Sequence, residues 1–194
     1  MSAPERHPVA LGVTLARCTA DVVELAALRG RREALERAIA ARGVALPALG
    51  RLAMGGDTLV LCVRPERYLL ISAPAAPGES AASWQAVCDG HGAAVDQSSG
   101  LAVFELAGAG AREVLARGWR LDLDPRTFPV GCAAASLMAQ VSVTLAALPS
   151  SLLLLTPASY ARHLREWLAL SARSVGLAVR PEVSIAVVLG ESPR

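Results

Sequence analysis

The stretch FELAGAGAREVLARG (104–118) places two glycines, Gly108 and Gly110, between an apolar run and the opening of a helix. A dinucleotide-binding loop begins with that G-x-G. It then needs a third glycine three residues later and an acid about 20 residues further on. Glu113 stands at the third position and would set a carboxylate beside a pyrophosphate. The charge is wrong, so the glycines need a structural explanation.

Other groupings fall short in the same way. Gly78-Glu79-Ser80-Ala81-Ala82 lacks the second glycine of a nucleophile elbow. Asp96, Ser98 and Ser99 have no histidine placed beside them and read as turn chemistry. Asp122 and Asp124 read as solvated loop carboxylates, and His163, beside Arg162 and Arg165, as a surface or interface residue on a wet helix face. The cysteines (Cys18, Cys62, Cys88, Cys132) are too far apart for a C-x-x-C pair or a zinc knuckle. The histidines (His7, His91, His163) show no H-x-x-x-H spacing. All 19 basic residues are arginine. Without lysine there is no P-loop, Schiff-base amine or lysine base. No catalytic, cofactor-binding or metal-ligating residue is expected on this chain.

Composition narrows the class. Of 194 residues, 53% are hydrophobic and 19% charged, against about 25% charged in ordinary soluble domains. The excess suggests apolar surface that another chain covers. Usage rich in Ala, Arg and Leu without Lys suggests a GC-rich bacterial genome. A net charge of +2 gives no reason to expect nucleic acid, and Arg29, Arg31, Arg32 and Arg37, interleaved with Glu33 and Glu36, read as a solvated helix face. The opening MSAPERHPVALG lacks a charged head followed by an apolar run, so no signal peptide is expected, and reduced thiols fit a cytoplasm. Residues 127–161 carry no charge, which is long enough to span a bilayer. Three prolines interrupt that run, and Gln140, Ser142 and Thr144 alternate with Val141, Val143 and Leu145. That is the period of strands, and no membrane span is expected.

The elements that must position these residues come in two similar sets. The first has a strand at 22–28, a helix over 30–42 and a hairpin of 57–63 with 67–72. A helix from about Ala81 follows, with Ser80 as N-cap, and then a strand at 93–97. The second has a strand at 101–107, a helix from about Ala109 and strands within 133–139, 140–147 and 151–156. Thr156-Pro157 opens its second helix, and a last strand lies within 178–189. Each set is read as βαββαβ. LRGRREALERAIAARGVALP (28–47) also echoes LAGAGAREVLARGWRLDLDP (106–125). The expected fold is α+β: two tandem βαββαβ (ferredoxin-like) units, 21–98 and 99–190, behind an extension of residues 1–20. In this frame Gly30 and Gly108 do one job, a corner from strand into helix that a Cβ would obstruct.

At AVDQSSGLAVFELAGAGAREVLARGWRLDLDPRTFPVG (94–131) the sequence resembles the gamma subunit of heterotetrameric sarcosine oxidase. The residues concerned are the VD-x-S strand end, the L-x-G-x-x-A-R-E-V-L-A-x-G helix entry and the LDL-x-P-x-x-F-P-x-G loop. RPERYLLIS (64–72) and SYARHLREWL (159–168) add to it. The resemblance spans about residues 20–175. It implies the fold of the folate-binding domain of glycine-cleavage aminomethyltransferase. It further implies a non-catalytic assembly subunit, with alpha, beta and delta partners, in a bacterial complex that oxidatively demethylates sarcosine. FAD, FMN, NAD and tetrahydrofolate would then lie on the other subunits. The alternative is a stand-alone folate or one-carbon-binding protein of the same fold. The transferases resembled here carry an acidic pair in a G-x-x-L-D-D strand, where this chain has Ala139 and Gln140 in SLMAQVSVTL. Without those acids a developing cation has no carboxylate partner, so transferase activity is not expected. Trp119 and Phe128, in a loop with little core to enter, are the candidate interface anchors.

Overall fold

A computed structural model describes residues 12–190. Its strands are β1 (Val13–Thr19), β2 (Asp21–Ala27), β3 (Arg51–Gly55), β4 (Thr58–Arg64), β5 (Arg67–Ser72), β6 (Gly92–Asp96), β7 (Leu101–Ala107), β8 (Ala133–Met138), β9 (Val141–Ala147), β10 (Ser151–Pro157), β11 (Leu177–Val179) and β12 (Val183–Ser184). The helices are α1 (Arg32–Ala40), α2 (Glu79–Cys88), α3 (Ala111–Ala116), α4 (Ala161–Ser171) and α5 (Ile185–Val188). The class is α+β, as the patterning predicts. Each half has the order βαβββαβ. In the first half β3 is a strand that the reading lacks; in the second, the three middle strands fall at the positions expected, one more than the label βαββαβ counts.

The two halves form two sheets. One runs β3-β4-β5-β2-β6, antiparallel throughout. The other runs β8-β9-β10-β7-β1-β11, the same order with one strand inserted. That strand is β1. It pairs antiparallel with β7, with Leu15 opposite Leu106, and so takes the place beside β7 that β6 takes beside β2. Then β11 and β12 pair with β1 in parallel, interrupted at Pro181, which has no N–H to give a ladder. Residues 13–19 are therefore not an extension but part of the second unit's sheet; residues 1–11 lie outside the described residues.

Three buried layers explain the apolar excess. Val23, Leu25, Val60, Tyr68 and Leu70 of the first sheet pack beneath Leu35 and Ile39 of α1 and Trp84 and Cys88 of α2. Leu106, Leu145, Leu152 and Leu154 of the second pack beneath Val114 and Leu115 of α3 and Leu164 and Leu168 of α4. The sheets' other faces meet each other, through Val22, Leu59, Leu61 and Ile71 on one side and Val103, Leu153 and Leu155 on the other, with Ile185 of α5 among them. The charge-free run around β10 follows: its leucines alternate between two cores, and neither face of the strand meets water. Much of the apolar excess is thus buried between the two sheets of this chain.

Local details both match and differ. Gly30 and Gly108 adopt positive φ, +71° and +108°, at the two strand-to-helix corners. Ser80 is not the cap of α2; Gly78 holds that position, and the Ser80 hydroxyl donates to the Asp21 carboxylate instead. The Thr156 hydroxyl donates to the Ser142 carbonyl (3.0 Å) and caps nothing; α4 is entered through a 3-10 turn over Ala158–Tyr160. The expected last strand is split into β11, β12 and the short α5.

Candidate functional site

The residues that could have done chemistry are engaged in holding turns. Beyond Gly110, Glu113 pairs with Arg117 one turn on (2.7 Å). The Arg112 guanidinium donates to the carbonyls of Leu123 (2.7 Å) and Phe128 (2.9 Å), tying the loop after α3 to its helix. Asp122 accepts from the Asp124 amide (2.9 Å), and Asp124 accepts from the Arg126 amide and guanidinium. The Arg126 side chain beside it holds the Asp124 carboxyl below the usual carboxylate range. Asp96 accepts from the Ser98 amide (2.8 Å), while the Ser98 hydroxyl accepts from the Val22 amide (3.1 Å). These bonds stitch the end of β6 to the start of β2. Among the described residues no three His, Cys, Asp or Glu side chains gather as a metal site would require.

Asp96→Ala and Asp122→Ala are each expected to remove about 1 kcal/mol, the size of a lost turn hydrogen bond. The Ser98 hydroxyl and amide hold the Asp96 carboxyl below its ordinary value of 3.8. Its contribution is therefore complete above that value and is lost as pH falls through the lowered folded value. Parallel urea titrations near neutrality and in acid should show the gap between parent and Asp96→Ala closing. In an assembled complex neither variant should change the chemical step. A fall of about a hundredfold in turnover, typical of a lost transition-state contact, would instead move chemistry onto this chain.

Trp119 and Phe128 do not stand at the surface. They are 6% and 7% exposed and belong to the core beneath α3 and α4. Trp119 also makes a backbone bridge to Met138 of β8. The loop after α3 folds back over the sheet, so both rings find a core, and little of either is left for a partner. Burial likewise pushes the Cys18 thiol up to about 12, with Glu105 adding to the effect; Cys18, Cys62 and Cys88 are buried free thiols.

Two surface features lie around α4. The first is a groove of about 670 Å³ between the β8–β9 turn and the helix, lined by Tyr160, His163 and Trp167. Ala139 and Gln140 form that turn, both with positive φ (+50° and +68°), and the Ala139 carbonyl lies 3.2 Å from His163 Nε2. The position expected to lack acids is thus a hairpin tip resting on α4. The second is a cleft of about 590 Å³ on the other side of the helix. Leu15 and Phe104 lie among its lining, with Arg17, Arg162, Arg165, Arg180 and Glu182 also around it. In the sequence Arg162 and Arg165 stand out only as neighbours of His163 on a wet helix face, and Arg17 falls in the extension of residues 1–20. The usable signal is the apolar content of VTLARCT (13–19), a strand with Val13 and Leu15 buried on one face, Ala16 and Cys18 buried on the other, and Arg17 exposed at the far end of the Leu15 face.

Comparison with known proteins agrees with this architecture. A model of the sarcosine oxidase gamma subunit family matches residues 31–174. A chain of heterotetrameric sarcosine oxidase from Corynebacterium sp. U-96, solved in complex with pyrrole 2-carboxylate, is 29% identical. It superposes with a TM-score of 0.74 over 86% of this chain and 86% of that one. Glycine cleavage system aminomethyltransferase T from Bartonella henselae shares the fold, with a TM-score of 0.63 at 14% identity, covering 90% of this chain and 48% of that one. No curated protein matches the chain in sequence. No helix among the described residues is long and apolar enough to cross a membrane.

Proposed function

This chain belongs to the sarcosine oxidase gamma subunit family, and from that premise we propose that it is a non-catalytic assembly subunit of a cytoplasmic, flavin-dependent complex. The complex would oxidatively demethylate sarcosine, with the one-carbon unit passed to tetrahydrofolate. The observation that carries the reading is the extent of the structural match. It runs over 86% of both this chain and one chain of a heterotetrameric oxidase, whereas the aminomethyltransferase match takes in under half of that enzyme. The fold is used here at the scale of a subunit.

The side chains agree with that role. Asp96, Asp122, Asp124 and Glu113 are engaged in turns and helix pairs. The hairpin tip at Ala139 and Gln140 offers no carboxylate to a reacting amine. In this reading FAD, FMN, NAD and tetrahydrofolate are held by the alpha, beta and delta partners. Alone, the purified chain is expected to be colourless. Co-expressed with the large flavin-carrying subunits of its complex, it should elute with them in size-exclusion chromatography. A chain that stays monomeric and ignores those subunits, or that carries stoichiometric flavin alone, overturns the proposal.

A further inference from the structure

We infer that the arginine cleft beside α4 seats an acidic segment of another subunit, an inference that rests on the assembly reading above. The cleft follows from the inserted strand. In the first sheet α2 packs over β6 and β2; in the second, α4 packs on β10, and the sheet is wider by β1. Val13 and Leu15 of β1 still bury in the core with Leu164 and Leu168 of α4, but no helix is added for the extra width, and the face beyond Leu15, at Arg17 and the neighbouring β11, stays open.

Charge selects the occupant. The lining holds four arginines against one glutamate, a net charge of +3, which exceeds the +2 of the whole chain. Arg17 meets Glu182 at 3.4 Å with both side chains more than half exposed, and Arg162 meets Glu166 at 3.3 Å, also in solvent. Arg180 reaches Glu105 only at 4.0 Å. Arg165, one helical turn from Arg162, makes no ion pair among the described residues. Exposed pairs of this kind are weak and easily exchanged for an incoming carboxylate. A patch with a net positive charge also draws an opposite patch toward it, and its pairs strengthen as docking removes water. Val179, 64% exposed on the edge strand β11, adds apolar surface next to the charges. An extended segment with two or more carboxylates around an apolar residue matches this surface.

The test uses the co-expressed complex. The double variant Arg17→Glu with Arg165→Glu should weaken capture by the other subunits about tenfold or more, while the melting temperature of the free chain is unchanged. Arg29→Glu with Arg31→Glu, the same charge change on the first unit, should leave capture unaltered. Hydrogen exchange on assembly should show protection over residues 161–166 and 177–182 and, on the partner, over a segment holding at least two Asp or Glu. Reversing those carboxylates to Arg should restore capture of the double variant. Undiminished capture, protection confined to other surfaces, or a dimer of this chain alone that the double variant abolishes would overturn the inference. If the unaltered chain fails to co-elute, the assembly reading itself has failed, which is a different result.

Discussion

Trp119→Ala is expected to destabilise the chain by about 3–5 kcal/mol, the usual loss for emptying a large aromatic site in a core. The indole is 6% exposed and packs in the cluster that includes Leu115, Met138 and Leu164. Its backbone amide closes α3 on the Leu115 carbonyl (2.9 Å), and its bridge to Met138 fastens the loop to the outer strand β8. Removing the ring therefore leaves a cavity between a short helix and a sheet edge. Trp119→Phe should cost less than about 1.5 kcal/mol, since it keeps most of the volume. Among the described residues Trp119 Nε1 has no hydrogen-bond partner, so the exchange breaks no protein hydrogen bond there. Urea unfolding of the two variants beside the parent measures both values. Capture by the other subunits should follow stability: lost with Trp119→Ala under conditions that unfold it, retained with Trp119→Phe. A Trp119→Ala chain as stable as the parent yet unable to assemble would return this residue to the interface.

Gly108→Ala is expected to cost about 3 kcal/mol or more, and Gly30→Ala only about 1 kcal/mol, although the two glycines turn equivalent corners. Both have positive φ, where a Cβ is strained. At Gly30 nothing lies within 4 Å of the added atom. At Gly108 it would run into the Gly12 carbonyl oxygen, well inside van der Waals contact, and come within 3.2 Å of Val13 Cα. Those atoms are backbone at the start of β1, which cannot rotate aside and is held in register by Thr14 opposite Ala107. Overpacking thus adds to backbone strain at one corner and not at the other. Thermal or urea unfolding of both variants gives the comparison. Equal losses would mean that β1 is not seated against β7 as described.

Helices α1 to α4, the β4–β5 hairpin and the tandem halves are legible in the sequence because their signals are local; α5 lies within the segment read as a strand. Leu35 with Ile39, Ala111 with Val114 and Leu115, and Leu164 with Leu168 recur at helical spacing and are buried on their helices as that spacing requires. Gly30 and Gly108 marked corners through the conformation that only glycine adopts freely. The family's motifs were legible for the same reason, each being a short run at fixed spacing. What covers each apolar face was not. The pattern of β10 states that both faces are apolar, and two different cores satisfy it, one under α3 and α4 and one against the first sheet. Trp119 and Phe128 looked like exposed anchors because loop length carries no information about where a loop folds back. Strand β1 is an apolar segment by composition, yet nothing near it in sequence says that its partner is β7, since ladder bonds between distant segments leave no trace in either segment's own period. That pairing widened one sheet, left the Arg17 end of β1 uncovered by any helix, and brought Arg17 beside Arg162 and Arg165. The sequence by itself determined the parts and their apolar faces; the tertiary pairing, which depends on distant backbone groups finding one another, decided which faces were covered and which charges came together.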